Sequence, residues 1–227
     1  MNPANPGKLI GGLFLLQLVG GIFLNFFFLA PFKTDYASVD VAVLTSTLGI
    51  ATLLSLGLVS INLLVGAIAY QMLKTSYPVH SLLLLAVSIL AVGMTAVESN
   101  ELGQYVSLVT HLKAQGIQEL DAGMEILRKS LAFSRNEAHF MAIALSSFSL
   151  LLLYTLLYRA THLSRWLMGF AIGACVLQLI ALGNTLFQGP VLVMLQLPLV
   201  LTQLVLPLVF VFKGLALTND SDVKEKP

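Results

Sequence analysis

"VHSLLLLAVSILAVGMTAVESNELGQ", residues 79–104, runs about twenty positions without an acidic or basic charge and then meets two carboxylates, Glu98 and Glu101. A helix needs about 20 apolar residues to cross the roughly 30 Å hydrocarbon layer of a bilayer. Residues 79–98 meet that length. The run is continuous rather than alternating, and an open sheet would leave backbone groups unpaired in lipid, so a helix is the only spanning form available to it. Five further runs have the same character, at 9–30, 50–73, 138–158, 165–187 and 191–213. The expectation is an all-α polytopic membrane protein with six transmembrane helices.

Composition agrees with a lipid solvent. Hydrophobic residues make up 57% of the 227 and charged residues 10%, against roughly half and a quarter in a soluble domain. The net charge is +1, too even for a nucleic-acid partner. Cys175 is the single cysteine and lies in an apolar run, so no disulfide framework or cysteine metal site is available. The first apolar run is as long as a span and lacks an A-x-A cleavage pattern, so it reads as a retained helix.

Prolines punctuate the runs at Pro31, Pro78 and Pro190, because proline cannot donate the bond a continuing helix requires. Pro198 and Pro207 fall inside the sixth run, where they predict kinks. With the N-terminus inside, that side holds Lys8, Lys74, Arg159, Arg165, Lys213, Lys224 and Lys226. The other side holds Lys33, Lys113, Arg128, Lys129 and Arg135, four of them in one long acid-balanced segment. The short connections favour both termini in the cytoplasm.

That long segment, 99–137, is expected to form a small helical cap on the outer side between the third and fourth helices. Tyr105, Val106, Val109 and Leu112 repeat at helical spacing, and Ile117, Leu120, Met124, Ile126 and Leu127 do so less cleanly. Gly116 and Gly123 offer turns. The polar tail 218–227 reads as disordered.

Twenty residues from Val79, Glu98 reaches the outer membrane edge. Two carboxylates on one helical face repel and ask for a cation. The returning helix offers Arg128, Arg135 and His139 on one face. Antiparallel counting puts Glu98 level with His139, and Glu101 level with Arg135 and Asn136. This predicts an interfacial polar cluster of Glu98, Glu101, Arg135, Asn136 and His139, read first as a structural clasp. A metal site with His111, His139 and a glutamate is the sharper alternative, although no established zinc spacing occurs.

Between the membrane edges no acidic or basic residue occurs, which argues against a charge relay. Histidines sit near the edges rather than the midplane, against a clamped haem, and no cofactor is expected. Gln17, Asn25, Asn62, Gln178, Asn184, Gln196 and Gln203 remain as uncharged polar groups within spans. Interhelical hydrogen bonding is their first reading; Asn62, Gln178, Gln196 and Gln203 are candidates to line a cavity. Ser146, Ser147 and Ser149 read as backbone-bonded packing residues, and Gly169 and Gly173 as a close-packing pair within the bundle.

At "LLYRATHLSRWLMG" (156–169) and "LPLVFVFKGL" (206–215) the sequence resembles an uncharacterised bacterial family of multi-pass membrane proteins, domain of unknown function 4386. The shared features are the Leu156 to Arg159 exit, the Arg165-Trp166 entry and the closing Lys213-Gly214, with a looser likeness at "GGLFLLQLVGGIF" (11–23). The resemblance implies a bundle in the bacterial inner (plasma) membrane and brings no assigned activity. Family members often carry a glutamate about where Gln203 stands, so this chain would lack that charge.

Three functions follow as expectations. The first is non-enzymatic binding of a lipid-like or small apolar ligand, or of a partner membrane protein or second copy, among membrane lipids. The second is an interfacial hydrolase or transferase on lipid head groups using Glu98, Glu101 and His139. The third is a small-molecule transporter with a midplane path.

Overall fold

Two aspartates start long helices. Asp40 Oδ1 accepts the N–H groups of Ala42 at 2.8 Å and Val43 at 3.3 Å, satisfying donors that a helix N-terminus otherwise leaves bare. Helix α2 therefore runs Val41–Leu73, beginning ahead of the 50–73 span read from hydropathy. Asp121 Oδ1 likewise accepts from Met124 at 2.8 Å and opens α4, Ala122–Ala160. Pro78 suits the first turn of α3, Pro78–Ala114. The computed structural model describes residues 5–33 and 36–216, and completes the bundle with α1 (Pro6–Phe23), α5 (Arg165–Leu186) and α6 (Val193–Lys213). Six helices are long and apolar enough to cross a membrane, and no strand element occurs among the described residues. The 218–227 tail, expected to be disordered, lies outside the described residues.

Helices α2, α3 and α4 hold 33, 37 and 39 residues, roughly 50–58 Å at 1.5 Å per residue, well beyond the hydrocarbon thickness. So α3 does not stop at Glu98. It continues to Ala114, turns where Gly116 takes a φ of 73°, and the chain returns in α4. Gly123 falls inside α4 rather than at a second turn. The expected cap is thus the unbroken continuation of α3 and α4, with the start of α2 against them.

Its core is Tyr36, Leu44, Tyr105, Val106, Val109 and Leu112. The Tyr36 hydroxyl donates to the Ile117 carbonyl at 2.9 Å, and the Lys113 ammonium stands 4.5 Å from the Tyr36 ring centroid. These contacts tie the α1–α2 connection to the α3–α4 turn. Ile126 and Leu127, expected on the same apolar repeat, are exposed instead.

Within the membrane the helices form a ring: each packs on its neighbours in sequence, and α6 returns to α1. Glycines close the ring at one end. Gly7 lies against Gly214 and Leu215, and a Cβ built on Gly11 would stand 2.6 Å from the Pro207 carbonyl oxygen and 2.9 Å from Val211. Asn5 Oδ1 accepts from both Gly7 and Leu215, at 2.9 and 3.3 Å. The start of α1 and the end of α6 therefore lie together, as six antiparallel spans require; we call this end inner. Gly169 and Gly173 do not pack within the bundle. Both are exposed, with open space where a Cβ would stand, because α5 turns that face outward.

Burial is uneven along the bundle axis. Ile10, Val65, Leu84, Leu157, Met168 and Phe210, one from each helix, belong to a single buried cluster. Every member of it from the six helices lies within about 14 residues, roughly 20 Å, of the inner end of its helix. In lipid such interiors are held by close packing rather than by escape from water. Above this plug the side chains separate.

Candidate functional site

Above the plug, and reaching down to its members Phe14, Leu150, Tyr154 and Leu199, lies a cavity of about 910 Å³ to which all six helices contribute. Ligand pockets fall in the range of about 300–1,000 Å³. Most of the wall is apolar, and the polar groups fall into two levels.

The lower level, or floor, is made of Gln17, Asn62, Gln178 and Gln203. Each lies about 10–13 residues from the inner end of its helix, roughly 15–20 Å along the axis, near the bilayer midplane. Gln17 Nε2 donates to Asn62 Oδ1 at 3.1 Å and to the Leu58 carbonyl at 3.3 Å. The side chains of Gln178, which is 7% exposed, and of half-buried Gln203 make no hydrogen bond among the described residues. Fully buried Tyr154 also lines the cavity without one. Such a group costs about 1–3 kcal/mol when nothing answers it.

None of Ser146, Ser147 and Ser149 makes the expected bond to a backbone carbonyl among the described residues. Ser88 bonds back to the Leu84 carbonyl and meets Ser149 Oγ at 2.7 Å, a satisfied α3–α4 contact. Ser146 and Ser147 make no backbone bond and line the cavity instead. Their neighbourhood is hollow, so a hydroxyl turned to the cavity gives up little packing.

The upper level, or rim, carries the charge. Glu98 Oε1 accepts from Arg135 Nη2 at 3.2 Å and stands 2.9 Å from His139 Nδ1. The side chains of Glu98, Arg135 and His139 are 13%, 16% and 32% exposed. Glu98 and His139 line the cavity together with Asn25, Ser55, Thr95 and Gln196. With the carboxylate beside Nδ1, the other ring nitrogen of His139 is the one left for a ligand.

The five residues of the predicted cluster are brought together only in part. Arg135 pairs with Glu98 and not with Glu101, and its Nη1 donates to the exposed Asn136 at 3.4 Å. Glu101 is half-buried and has no partner among the described residues. Counting compares Cα levels, whereas a guanidinium reaches a full turn and here goes to the carboxylate facing the drier interior. Arg135 Nε is buried with no acceptor. Arg128, read on the same face, is taken by Glu125 at 2.8 Å within the cap. Glu125 also meets Lys129 at 3.2 Å; the hydrogen bonds from Arg128 and then Lys129 bring its carboxyl down to about 2.

The suggested pairing of His111 with His139 is not formed. His111 is exposed near the far end of α3, its Nε2 3.0 Å from Gln115 Nε2, roughly 20 Å of helix beyond Glu98. Among the described residues no three His, Cys, Asp or Glu side chains gather as a metal site. Asn62, Gln178, Gln196 and Gln203, named as candidates for lining a cavity, all stand on this one wall. Ser55, Thr95 and Tyr154 share the wall and were not singled out. Ser55 and Thr95 lie at the depth of Asn25 and Gln196, a signal available in the sequence, whereas Tyr154 lies deeper, six residues from the inner end of α4.

The glycine closure between α1 and α6 is confined to the inner end. Farther out, α1 passes into a π-helix, Leu24–Phe28, and α6 contains Pro198, whose missing N–H interrupts the ladder. Ile22, Phe26 and Val200, on the two helices, line the cavity and are 49%, 73% and 53% exposed. The cavity therefore opens sideways between α1 and α6, in the outer half of the bundle.

The family model described as "Domain of unknown function (DUF4386)" matches residues 9–214. No curated protein and no solved structure matches the chain.

Proposed function

Because the chain belongs to this family of unknown function, its own cavity must supply the reading, and we propose that it binds a lipid-like ligand without catalysing a reaction. The observation that carries this is the set of polar groups without a partner among the described residues, Gln178 the most buried amide of them, facing a largely apolar hollow open on the lipid side. A dry void would leave those amides unanswered, while an aqueous passage would favour a wall more polar than this one. An amphiphile answers both: its chain covers the apolar wall, and its head meets Glu98 and His139. The membrane proposed is the bacterial inner membrane, with both termini cytoplasmic.

Native mass spectrometry of protein released from lipid nanodiscs tests the reading. A retained adduct of lipid mass is expected, weakened when Glu98→Gln alters the rim. Protein that leaves the nanodisc free of any such adduct, from bilayers of several compositions, would overturn it.

One geometric feature favours a second reading, an acid–base enzyme acting on lipid head groups. A carboxylate 2.9 Å from Nδ1 of a histidine that lines a cavity is close to the arrangement that lets histidine take a proton from a substrate hydroxyl. No protein hydroxyl bonds to His139 among the described residues, so the nucleophile would have to come with the substrate. Turnover of a lipid that His139→Ala and Glu98→Gln both abolish would establish it. Transport is disfavoured by the packed inner half, which a passage would have to part.

A further inference from the structure

The floor and the rim are not two unrelated sets of polar residues. Gln17 on α1 and Asn25 on the π-helix that continues it, Ser55 and Asn62 on α2, His139 and Ser146 on α4, and Gln196 and Gln203 on α6 each stand seven or eight residues apart and line the same cavity. Two helical turns return a side chain to the same face, so four helices repeat a polar pair at one spacing of roughly 10–12 Å. Between the levels the wall is apolar: Leu18, Ile22, Leu58 and Leu199 fill it.

A simple amphiphile has one polar end, and the rim alone would satisfy it. Its hydrocarbon chain would then lie on the floor, against Gln178 and Gln203, which have no hydrogen bond among the described residues. That pairing leaves amides buried under a chain that can answer none of them, at about 1–3 kcal/mol for each. The floor calls for a donor or acceptor.

Resting on the ligand-binding reading above, we infer that the cavity selects an amphiphile whose chain carries a second hydrogen-bonding function, a hydroxyl or carbonyl, two helical turns below its head group. The ligand enters sideways from the bilayer, through the seam between the π-helix of α1 and the Pro198 region of α6. Its head stays at Glu98 and His139, level with the interface. The chain oxygen reaches Gln178 and Gln203 at the midplane, and the inner plug stops it from going deeper.

Two monoacylglycerols that differ by one chain hydroxyl test this: monoricinolein and monoolein, each titrated into the full chain in nanodiscs. One buried hydrogen bond of about 1–1.4 kcal/mol corresponds to about 5–10-fold, so monoricinolein is expected to bind that much more tightly. Gln178→Leu, and separately Gln203→Leu on the half-buried side, are expected to bind the two lipids alike. Equal affinities in the unmodified protein would overturn this inference and leave the binding reading standing. A preference that survives both substitutions would overturn the floor as its source. If neither lipid binds, the binding reading itself fails. The comparison in the unmodified protein stands even where a variant does not fold.

Discussion

One oxygen of Glu98 meets both Arg135 and His139, and this decides which substitutions at the rim are costly. Glu98→Ala leaves Arg135 with only the exposed Asn136, while its Nε already lacks an acceptor. A loss of about 1–3 kcal/mol is expected, read by denaturant unfolding in detergent. Glu101→Ala, removing a carboxylate with no partner among the described residues, should stay within about 0.5 kcal/mol. A double-mutant cycle should find coupling for Glu98 with Arg135 and none for Glu101 with Arg135. In the cap, Glu125 offers a pH test. Its folded value of about 2 lies below the ordinary 4.5, so its contribution is present above about 4.5 and is lost as pH falls toward about 2. Its carboxyl carbon should titrate near 2 by NMR, and Arg128→Ala should move that midpoint upward. Counting residues from a shared membrane edge was enough to place Glu98 beside His139. It misassigned Arg135 because side-chain reach is invisible in a count.

Helix ends and helix faces were less legible than helix cores. Hydropathy finds six spans, but it sees α2 only from about residue 50, since Thr45, Ser46 and Thr47 interrupt the apolar run. Those hydroxyls bond back to carbonyls at Val41 and Val43, so they fit the helix. Asp40 was the available start signal. Glycines show the same limit, because a sequence does not tell which of them meet a neighbour. Gly11 is pressed against α6, and Gly21 lines the cavity with nothing within 4 Å of a Cβ. Gly11→Leu should therefore cost about 1–3 kcal/mol by overpacking. Gly21→Leu should unfold at nearly the ordinary denaturant concentration yet lose the lipid adduct in native mass spectra. Equal stability losses in the two variants would contradict the picture of a seam closed at its inner end and open farther out.

At the scale of the whole chain, the ring closure converts scattered residues into a site. Read singly, each carboxamide was interhelical glue, and Gln17 with Asn62 does bond that way. The two-turn spacing on four helices was already present in the sequence. Its meaning depends on all four faces converging, which only the return of α6 to α1 brings about. The proposed orientation has its own test at this scale. In intact cells a membrane-impermeant amine reagent is expected to modify exposed Lys129 on the cap, and to reach exposed Lys8 only after lysis. Early modification of Lys8 would invert the topology.

The plug and the hollow also divide the membrane voltage unequally. Where water enters the hollow, it carries the electrical potential of its own side down to the midplane carboxamides. The voltage then falls across the packed inner half alone, roughly doubling the field along those 15 Å or so. A charge placed on the floor would then stand at the potential of the hollow's own side, with the whole drop between it and the inner surface, and a Gln203→Glu variant would place one there.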